Sequence, residues 1–379
     1  MTPMSPESLR RILITGGCGF IGKHLALRLR DLGHEVRVLD ILSPQVHGPS
    51  PDLSWMLEHD VGLVRGSVTD PQACDEALES VGGVFHLAAE TGTGQSMYEL
   101  GRYMDTNVTG TAVLLEACIR RGVRCLVLSS SRAVYGEGSW LCAACGPVHP
   151  ALRAMPEPGE APQWSPLCPM CGQPVASALP TQESESAQPV SVYGISKLAQ
   201  EQLVGLCGRA FGLSYSILRF FNVFGPGQAL QNPYTGVLAV FVNRARLGRP
   251  LDLYEDGKIL RDFVFVEDVV KALILAMEKG EPGPLNIGSG RAVTIEEIAH
   301  MIMALAGSSS SLQVTGRMRF GDVRGLVADI GQAASTLGWS PATSFEEGLK
   351  AFVDWAAQSP AEDSYEGSLA ELKARGLYQ

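Results

Sequence analysis

A glycine-rich turn between a buried strand and a helix limits the folds open to this chain. Arg11–Thr15 is apolar enough for a strand that is buried on both faces, and a helical pattern covers residues 23–31. The turn between them carries Gly16, Gly19 and Gly22. Glycines at this spacing allow a tight turn and close approach of a pyrophosphate, which the positive end of the helix attracts. The segment therefore predicts the first strand, turn and helix of a dinucleotide-binding sheet.

A second strand follows this helix and ends in a carboxylate. Glu35–Asp40 alternates apolar and polar residues, and Asp40 stands 18 residues after Gly22 (40 − 22). An acidic side chain at that place can bind the ribose hydroxyls of an adenosine, and it would repel a 2′-phosphate. The pattern favours NAD over NADP. The alternative is that Asp40 only opens a turn.

Composition limits the partners of the chain. The 379 residues carry a net charge of −10, which argues against nucleic acid or an anionic membrane as the main partner. The N-terminus lacks a basic-then-apolar signal, and no apolar run approaches the ~20 residues of a membrane span. We expect a cytoplasmic enzyme with a sizeable core, since 45% of the residues are hydrophobic. An anionic ligand must then be bound by local arginines.

Tyr193 and Lys197 are four residues apart, so on a helix they share one face. A free tyrosine titrates near pH ~10, and a lysine cation held close would bring its pKa toward neutrality, where Tyr193 could act as a general base. Without context, two such residues often only share a solvated helix face. The strands and the glycine turn upstream favour the catalytic interpretation.

Motifs spread over nearly the whole chain resemble one family. They are residues 15–22 (TGGCGFIG), 86–89 (HLAA), 129–136 (SSSRAVYG), 193–197 (YGISK), 219–226 (RFFNVFGP), 232–236 (NPYTG), 261–268 (RDFVFVED), 286–288 (NIG) and 337–339 (LGW). Together they resemble the extended short-chain dehydrogenase/reductases, and among these the nucleotide-sugar epimerases and dehydratases. The resemblance implies an α/β fold, a doubly wound parallel (Rossmann) sheet with a smaller C-terminal substrate lobe, and a homodimer that forms through helices near Asn107 and Tyr193.

The resemblance also assigns residues to the cofactor and to catalysis. The residues implied for NAD are Gly16, Gly19, Phe20, Ile21, Gly22, Asp40, Ser67, Val68, Leu87, Ala88, Ala89, Asn107, Tyr193 and Lys197. Ser131, Tyr193 and Lys197 form the implied catalytic set: a phenolate base, a lysine that holds the ribose, and a serine that bonds the reacting oxygen. Ser67 departs from the family, which usually has an adenine-binding aspartate there, so we expect altered adenine contacts.

For the second ligand the resemblance implies a nucleotide-diphosphate sugar. The implied contacts are Ser131, Arg132, Tyr193, Asn222, Val237, Tyr254, Arg261 and Arg324. Asn222, Arg261 and Arg324 would recognise the diphosphate, and Tyr254 would lie near the base. Each of these arginines could instead be a surface ion-pair partner.

The two residues after Ser131 bear on the reaction. Dehydratases of this family have Asp-Glu there, whereas this chain has Arg132 and Ala133. Without an acid and a base for elimination, the expected reaction is 4-epimerisation: oxidation to a 4-keto sugar, rotation of that sugar, and return of the hydride to its other face. An NAD-dependent reductase or dehydrogenase with net cofactor turnover remains an alternative, as does an idle scaffold that holds NAD as a structural ligand.

A long insertion separates Tyr135 from Tyr193 and carries two Cys-x-x-Cys-Gly motifs. Their four thiols belong to Cys142, Cys145, Cys168 and Cys171. Two such motifs supply a closed, structural zinc site, and we expect zinc to brace a flap over the sugar pocket. Disulfides, unligated thiols or His149 as a ligand are the alternatives. The other five cysteines are scattered and read as small buried hydrophobes.

The identity of the sugar stays open between two candidates. The zinc insertion, followed by Asn-Pro-Tyr-x-Gly-Val, most resembles the dTDP-L-rhamnose 4-epimerases, which form dTDP-6-deoxy-L-talose. A buried Arg132 would instead suit a carboxylate and indicates UDP-glucuronate, with UDP-glucose as a further alternative.

We expect an NAD-binding domain at residues 9–219 that contains the insertion at 138–186. A substrate lobe at 220–379 is expected to interleave with that domain around 261–279. The tail at 358–379 is expected to be a surface helix or a frayed end.

Overall fold

The computed structural model describes residues 10–155, 163–232, 236–363 and 365–378. The first third of the chain alternates strands and helices. The strands are β1 (Arg11–Thr15), β2 (Glu35–Asp40), β3 (Gly62–Arg65), β4 (Gly83–His86) and β5 (Cys125–Ser131). The helices are α1 (Phe20–Asp31), α2 (Pro44–His47), α3 (Ser54–Glu58), α4 (Pro71–Ala77), α5 (Thr93–Ser96), α6 (Leu100–Met104) and α7 (Gly110–Arg121), with a π-helical turn, Asp105–Thr109, between the last two.

The insertion follows a 3₁₀ turn at Arg132–Val134. Strands β6 (Trp140–Cys142), β7 (Gly146–Val148) and β8 (Ser177–Ala178) form a separate antiparallel sheet in the order β7-β6-β8. After β9 (Pro180–Thr181), the long helix α8 (Val192–Phe211) and strand β10 (Ser214–Phe220) return the chain to the main sheet.

The remaining elements are shorter. The strands are β11 (Asn222–Phe224), β12 (Leu251–Leu253), β13 (Leu260–Arg261), β14 (Phe263–Phe265), β15 (Leu285–Ile287), β16 (Val293–Thr294), β17 (Leu312–Val314) and β18 (Gly325–Ala328). The helices are α9 (Val237–Arg246), α10 (Val266–Lys279), α11 (Ile295–Leu305), α12 (Gly331–Leu337), α13 (Phe345–Ala356) and α14 (Tyr365–Ala374). In the described part of the chain, no helix combines the length and apolar character that crossing a membrane needs.

Seven parallel strands in the order β15-β10-β5-β4-β1-β2-β3 form the main sheet. Alternate side chains of β1 enter two cores: Ile12 and Ile14 pack with α1, α10 and α12, and Leu13 packs with α4, α7 and α8. Because each face of the sheet is covered by helices, its strands are apolar on both sides. This is the doubly wound α/β fold that the sequence predicts.

A third core lies in the C-terminal part. Helices α9, α11 and α13 surround a group of phenylalanines in which the ring of Phe224 meets the edge of Phe263 at 5.9 Å. Two elements of this part of the chain return to the main sheet: α10 packs against α1, and β15 pairs with β10. In the described part of the tail, α14 buries Leu369 and Leu372 against Tyr378.

Candidate active site

The glycine turn lies at the carboxyl end of β1, and its glycines have different tasks. Gly16 has φ +69°, and a Cβ there would lie 2.8 Å from the backbone of Ala88. A Cβ on Gly22 would lie 2.5 Å from the carbonyl oxygen of Gly16. Gly19 precedes α1 without a side-chain cap, and its Cβ would meet only that same oxygen, at 3.2 Å. Gly16 and Gly22 thus permit the turn, and Gly19 leaves the first amides of α1 open to an anion.

Asp40 ends β2 beside this turn. One carboxylate oxygen accepts a hydrogen bond from the amide of Cys18 at 3.0 Å, and the other accepts one from the amide of Leu42 at 2.8 Å. The acidic side chain is thereby fixed at the carboxyl edge of the sheet. A glycine turn that leaves helix amides open, with a carboxylate beside it, fits the adenosine half of NAD. The Ser67 hydroxyl contacts that of Thr69 at 2.8 Å, and Val68 is buried.

Asn107 holds the loop that follows β4. Its side-chain oxygen accepts from the amide of Glu90 at 2.8 Å, and its side-chain nitrogen donates to the Glu90 carbonyl at 3.1 Å and to the Ser196 hydroxyl at 2.9 Å. Asn107 therefore fixes the backbone of Glu90, which follows Leu87, Ala88 and Ala89 in this loop. Asn107 itself lies inside the π-helical turn between α6 and α7.

Ser131, Tyr193 and Lys197 come together at the end of β5 and the start of α8. Burial raises the pKa of Tyr193, and a hydrogen bond with Ser131 and the charge of Arg132 oppose that rise. The Lys197 ammonium instead donates to the carbonyl oxygen of Ser129 at 2.8 Å. Burial lowers the pKa of Lys197 to about 7. The cation that lowers the pKa of the Tyr193 phenol is therefore Arg132. The sequence predicts instead that Lys197 lowers this pKa.

A buried polar chain lies beneath these residues. His86 contacts the hydroxyl of Thr15 through Nδ1 and that of Thr111 through Nε2, both at 2.8 Å, and Thr111 donates to the carbonyl of Asn107 at 2.6 Å. Burial and the charge of Lys197 lower the pKa of His86 to about 3, so the imidazole is neutral. Thr15 also accepts from the amide of Ala88 at 3.2 Å. These hydrogen bonds link β1 to the loop after β4.

A cavity of about 420 Å³ opens beside Tyr193. It is lined by most of the residues implied for the sugar nucleotide: Ser131, Arg132, Tyr193, Asn222, Val237, Tyr254 and Arg261. Arg132 donates from Nε to the side-chain oxygen of Asn222 at 2.6 Å, and Arg261 donates to the carbonyl of Val323 at 3.0 Å. Neither guanidinium has a carboxylate within ion-pairing distance among the described residues. Two arginines without a carboxylate partner at one cavity fit an anionic ligand.

Arg324 is not brought to this cavity. Its guanidinium pairs with Glu255 at 2.7 Å and with Asp256 at 2.6 Å, so Arg324 is an ion-pair partner, although it is buried and not at the surface. Arg319, five residues earlier in the chain, lines the cavity in its place. Arg319 pairs with Asp322 at 2.9 Å and lies over the ring of Tyr254, 5.2 Å from its centroid. The sequence alone does not indicate which of the two arginines pairs with Glu255 and Asp256.

Helix α14 adds a cavity wall that the sequence did not predict. Its contributions are Tyr365, Ser368, Leu369 and Leu372. The hydroxyls of Tyr365 and Tyr254 are 3.0 Å apart, and Tyr365 donates to Asp252 at 3.1 Å. This short helix has too few apolar residues for a clear helical periodicity in the sequence. Only the folded structure shows that they line the cavity. Of the family segment at 232–236, Gly236 lines the cavity, and residues 233–235 lie outside the described residues.

The insertion gathers four sulfurs. Those of Cys142, Cys145, Cys168 and Cys171 all lie within 4.8 Å of one another, and the pair Cys142–Cys171 is 3.6 Å apart. Zinc–sulfur bonds of about 2.3 Å in a tetrahedron place sulfurs about 3.8 Å apart, so the donor set fits a zinc ion. The turn glycines of both motifs have left-handed φ, +79° at 146 and +72° at 172.

Two further observations concern the sulfur cluster. Burial opposes the thiolate of Cys168, but hydrogen bonds from the amides of Cys171 and Met170 lower its pKa to about 7. Amides directed at sulfur favour the thiolate that a metal needs. His149 lies outside the cluster, and its Nδ1 is 3.4 Å from the carboxylate of Glu185.

Residues 12–150 and 169–288 match the NAD dependent epimerase/dehydratase family. The chain belongs to this family. The interruption of the match, at residues 151–168, falls inside the insertion, and it runs from beyond the first pair of cysteines to Cys168 of the second.

Individual relatives of this family member cover nearly the whole chain. A dTDP-L-rhamnose 4-epimerase of Burkholderia thailandensis is 40% identical over 357 residues, which span 92% of this chain and 95% of the relative. A solved UDP-glucose 4-epimerase of Thermus thermophilus in complex with NAD is 29% identical, with a TM-score of 0.74 over 92% of this chain and 100% of that one. A UDP-glucuronic acid 4-epimerase from Bacillus cereus, with UDP-glucuronic acid and NAD, is 25% identical, with a TM-score of 0.73 over 92% and 99%.

Proposed function

We propose that this chain is a nucleotide-diphosphate-sugar 4-epimerase that oxidises its substrate transiently to a 4-keto sugar. The observation that carries the proposal is the hydrogen bond between Ser131 and Tyr193 at a cavity without a free carboxylate pair. The acidic residues that line the cavity are Asp252, bonded by Tyr365, and Asp322, paired with Arg319. An acid and a base for elimination of water are therefore missing from the described lining.

Each catalytic side chain has one task in this proposal. Tyr193 removes the proton of the sugar hydroxyl and later returns it, and Ser131 holds the reacting oxygen by a hydrogen bond. NAD, when bound, would supply both the acceptor and the donor of the hydride at that carbon, so there would be no net oxidation. Lys197 holds the nicotinamide ribose, and Asp40 holds the adenosine ribose. The cavity has to let the 4-keto sugar rotate, so that the hydride returns to its other face.

The diphosphate end of the substrate is assigned to arginines. Arg261 and Arg319 line the cavity, and Arg319 lies over Tyr254, which we assign to the base. Arg319 thus takes the role that the resemblance implied for Arg324. We infer that residues 9–219 bind NAD and that residues 220–379, with α10 and β15 packed back on the main sheet, bind the sugar nucleotide.

The proposed substrate is dTDP-L-rhamnose and the product is dTDP-6-deoxy-L-talose. The 40% identity to the Burkholderia enzyme over 92% of this chain supports this choice. UDP-glucuronate is the second candidate, because Arg132 lies at the catalytic end of the cavity without a carboxylate partner among the described residues. A carboxylate at C5 of the sugar would neutralise it. UDP-glucose, which the Thermus enzyme is named for, is a third.

We infer that the insertion holds one structural zinc ion between four thiolates. With all four positions filled by protein there is no site for a reactive water, so zinc acts on structure rather than on the sugar. A homodimer is also proposed. Exposed apolar side chains on α6 and α8, namely Leu100, Met104, Ile195 and Leu206, support an interface there.

Proton NMR of dTDP-L-rhamnose with purified protein and no added cofactor tests the function. A second set of sugar signals with an altered H4 coupling is the expected result. An unchanged spectrum would remove the rhamnose assignment, and UDP-glucuronate and UDP-glucose would then be tested in the same way. If none of the three sugars reacts, the epimerase proposal fails.

A further inference from the structure

Arg153 is a buried arginine of the insertion whose side chain contacts residues outside the insertion. It lies between the two cysteine pairs, outside the part of the chain that matches the family. Its Nε donates to a carboxylate oxygen of Glu137 at 3.0 Å, and its Nη1 lies 2.9 Å from an oxygen of Glu255. Its Nη2 donates to the carbonyl of Asp322 at 2.9 Å. No more than a few per cent of either glutamate side chain is exposed.

These three partners converge on one segment, residues 317–324. The second oxygen of Glu137 accepts from the backbone amide of Arg324 at 2.7 Å. The amide of Glu255 donates to the carbonyl of Arg317 at 2.7 Å, and its carboxylate binds the Arg324 guanidinium. The same segment carries Arg319 into the cavity. Arg153 therefore fixes the backbone from which a cavity arginine projects.

Charge balance gives Arg153 a second effect on the cavity. Arg153 and Arg324 face the carboxylates of Glu137, Glu255 and Asp256. Without Arg153 one arginine would remain for three carboxylates. Burial lowers the pKa of Arg261, and the charges of Glu255 and Glu137 are among those that oppose it, so these carboxylates act on the cavity. Excess negative charge there would repel a diphosphate.

We propose that Arg153 is a positioning residue for diphosphate binding, through which the cysteine-bearing insertion shapes the nucleotide end of the cavity. The inference rests on the proposed function, because it takes a nucleoside diphosphate as the ligand. Arg153 itself does not line the cavity and acts through the wall behind which it lies. Its loss weakens binding and leaves the chemistry at Tyr193 in place.

Isothermal titration calorimetry with dTDP and with UDP tests the inference on the full-length, NAD-containing protein. Arg153→Met is expected to weaken binding of the preferred diphosphate about tenfold and to raise KM with kcat nearly unchanged. Its NAD and zinc contents, measured on the same samples, are expected to equal those of the wild type. Arg30→Met is the control, because Arg30 is a partly buried arginine of α1 that pairs with Asp60.

A double variant separates electrostatics from loss of folding. Arg153→Met with Glu255→Gln removes one unbalanced carboxylate and is expected to regain part of the lost affinity. Equal diphosphate affinity in Arg153→Met and the wild type would overturn the inference, as would a double variant no better than the single one. If the wild type binds neither dTDP nor UDP, the proposed function itself fails, which is a different result.

Discussion

The Nε of Arg132 lies 2.6 Å from the side-chain oxygen of Asn222, and this hydrogen bond holds the guanidinium at the cavity beside Tyr193. Burial lowers the pKa of Arg132 to about 9, and the neighbouring charge of Arg261 adds to this. Arg132 and Ala133 stand where, by the family resemblance, dehydratases carry an acid and a base. A cation in that place favours the ionised phenol.

Replacing Arg132 by glutamine is therefore expected to shift the pH–rate profile. The pKa of Tyr193 is already raised by burial, and Arg132 is one of two groups that oppose the rise. Without it the acid limb of kcat should move to higher pH by roughly one unit. Arg132→Lys keeps a cation and is the matched control. An acid limb at the same pH in both variants would assign the ionisation of Tyr193 to other groups.

The glycine turn gives a second prediction, in which folding and cofactor binding separate. A Cβ on Gly22 meets backbone atoms at 2.5–2.6 Å, so Gly22→Ala should destabilise the protein by about 1–3 kcal/mol. Gly19 has φ −70° and more room, so Gly19→Ala should leave unfolding of the cofactor-free protein unchanged. Its methyl group would still obstruct a pyrophosphate at the start of α1, so the purified variant should contain less NAD.

Urea unfolding and the NAD content of heat-released extracts measure the two effects. Full NAD occupancy in Gly19→Ala would mean that the pyrophosphate does not approach that residue. Unchanged stability in Gly22→Ala would show that α1 can shift without cost.

The nucleotide-binding half was predictable because its signals are local. Apolar strands, the glycine turn and Asp40 follow one another within thirty residues, and β1 and β2 have the bounds that the sequence predicts. The cysteine motifs also set their own geometry, since each one is a single turn. In such cases neighbours in sequence are neighbours in space.

The sugar side was predicted less well because its partners are far apart in the chain. Whether Arg324 or Arg319 reaches the cavity depends on Glu255 and Asp256, which lie more than sixty residues earlier. The effect of Arg132 on Tyr193 likewise depends on where Asn222 holds its guanidinium. Helix α14 joins the wall through contacts that no sequence period indicates.

Zinc binding gives a third prediction. Purified wild-type protein should contain about one zinc ion per chain by plasma mass spectrometry, and Cys168→Ser should lose it. Because Arg153 lies between the cysteine pairs, the same variant should bind the nucleoside diphosphate more weakly. Cys207→Ser is the control, since Cys207 lies in α8 outside the sulfur cluster. Zinc-free wild type with the proteins' thiols intact would contradict the site.

The neutral His86 gives the fourth prediction. Its folded pKa of about 3 is far below the unfolded value of about 6.5. Below pH 6.5 the unfolded chain binds a proton at this histidine, whereas the folded protein does not. The free energy of unfolding therefore decreases as the pH falls from 6.5 toward 3, by up to about 1.4 kcal/mol per pH unit. His86→Gln should have a lower free energy of unfolding at pH 8 but a shallower decline between pH 6.5 and 4.5 in urea titrations. His59→Gln, at an exposed position, should decline as the wild type does. Equal slopes for His86→Gln and the wild type would mean that the imidazole is protonated in the fold.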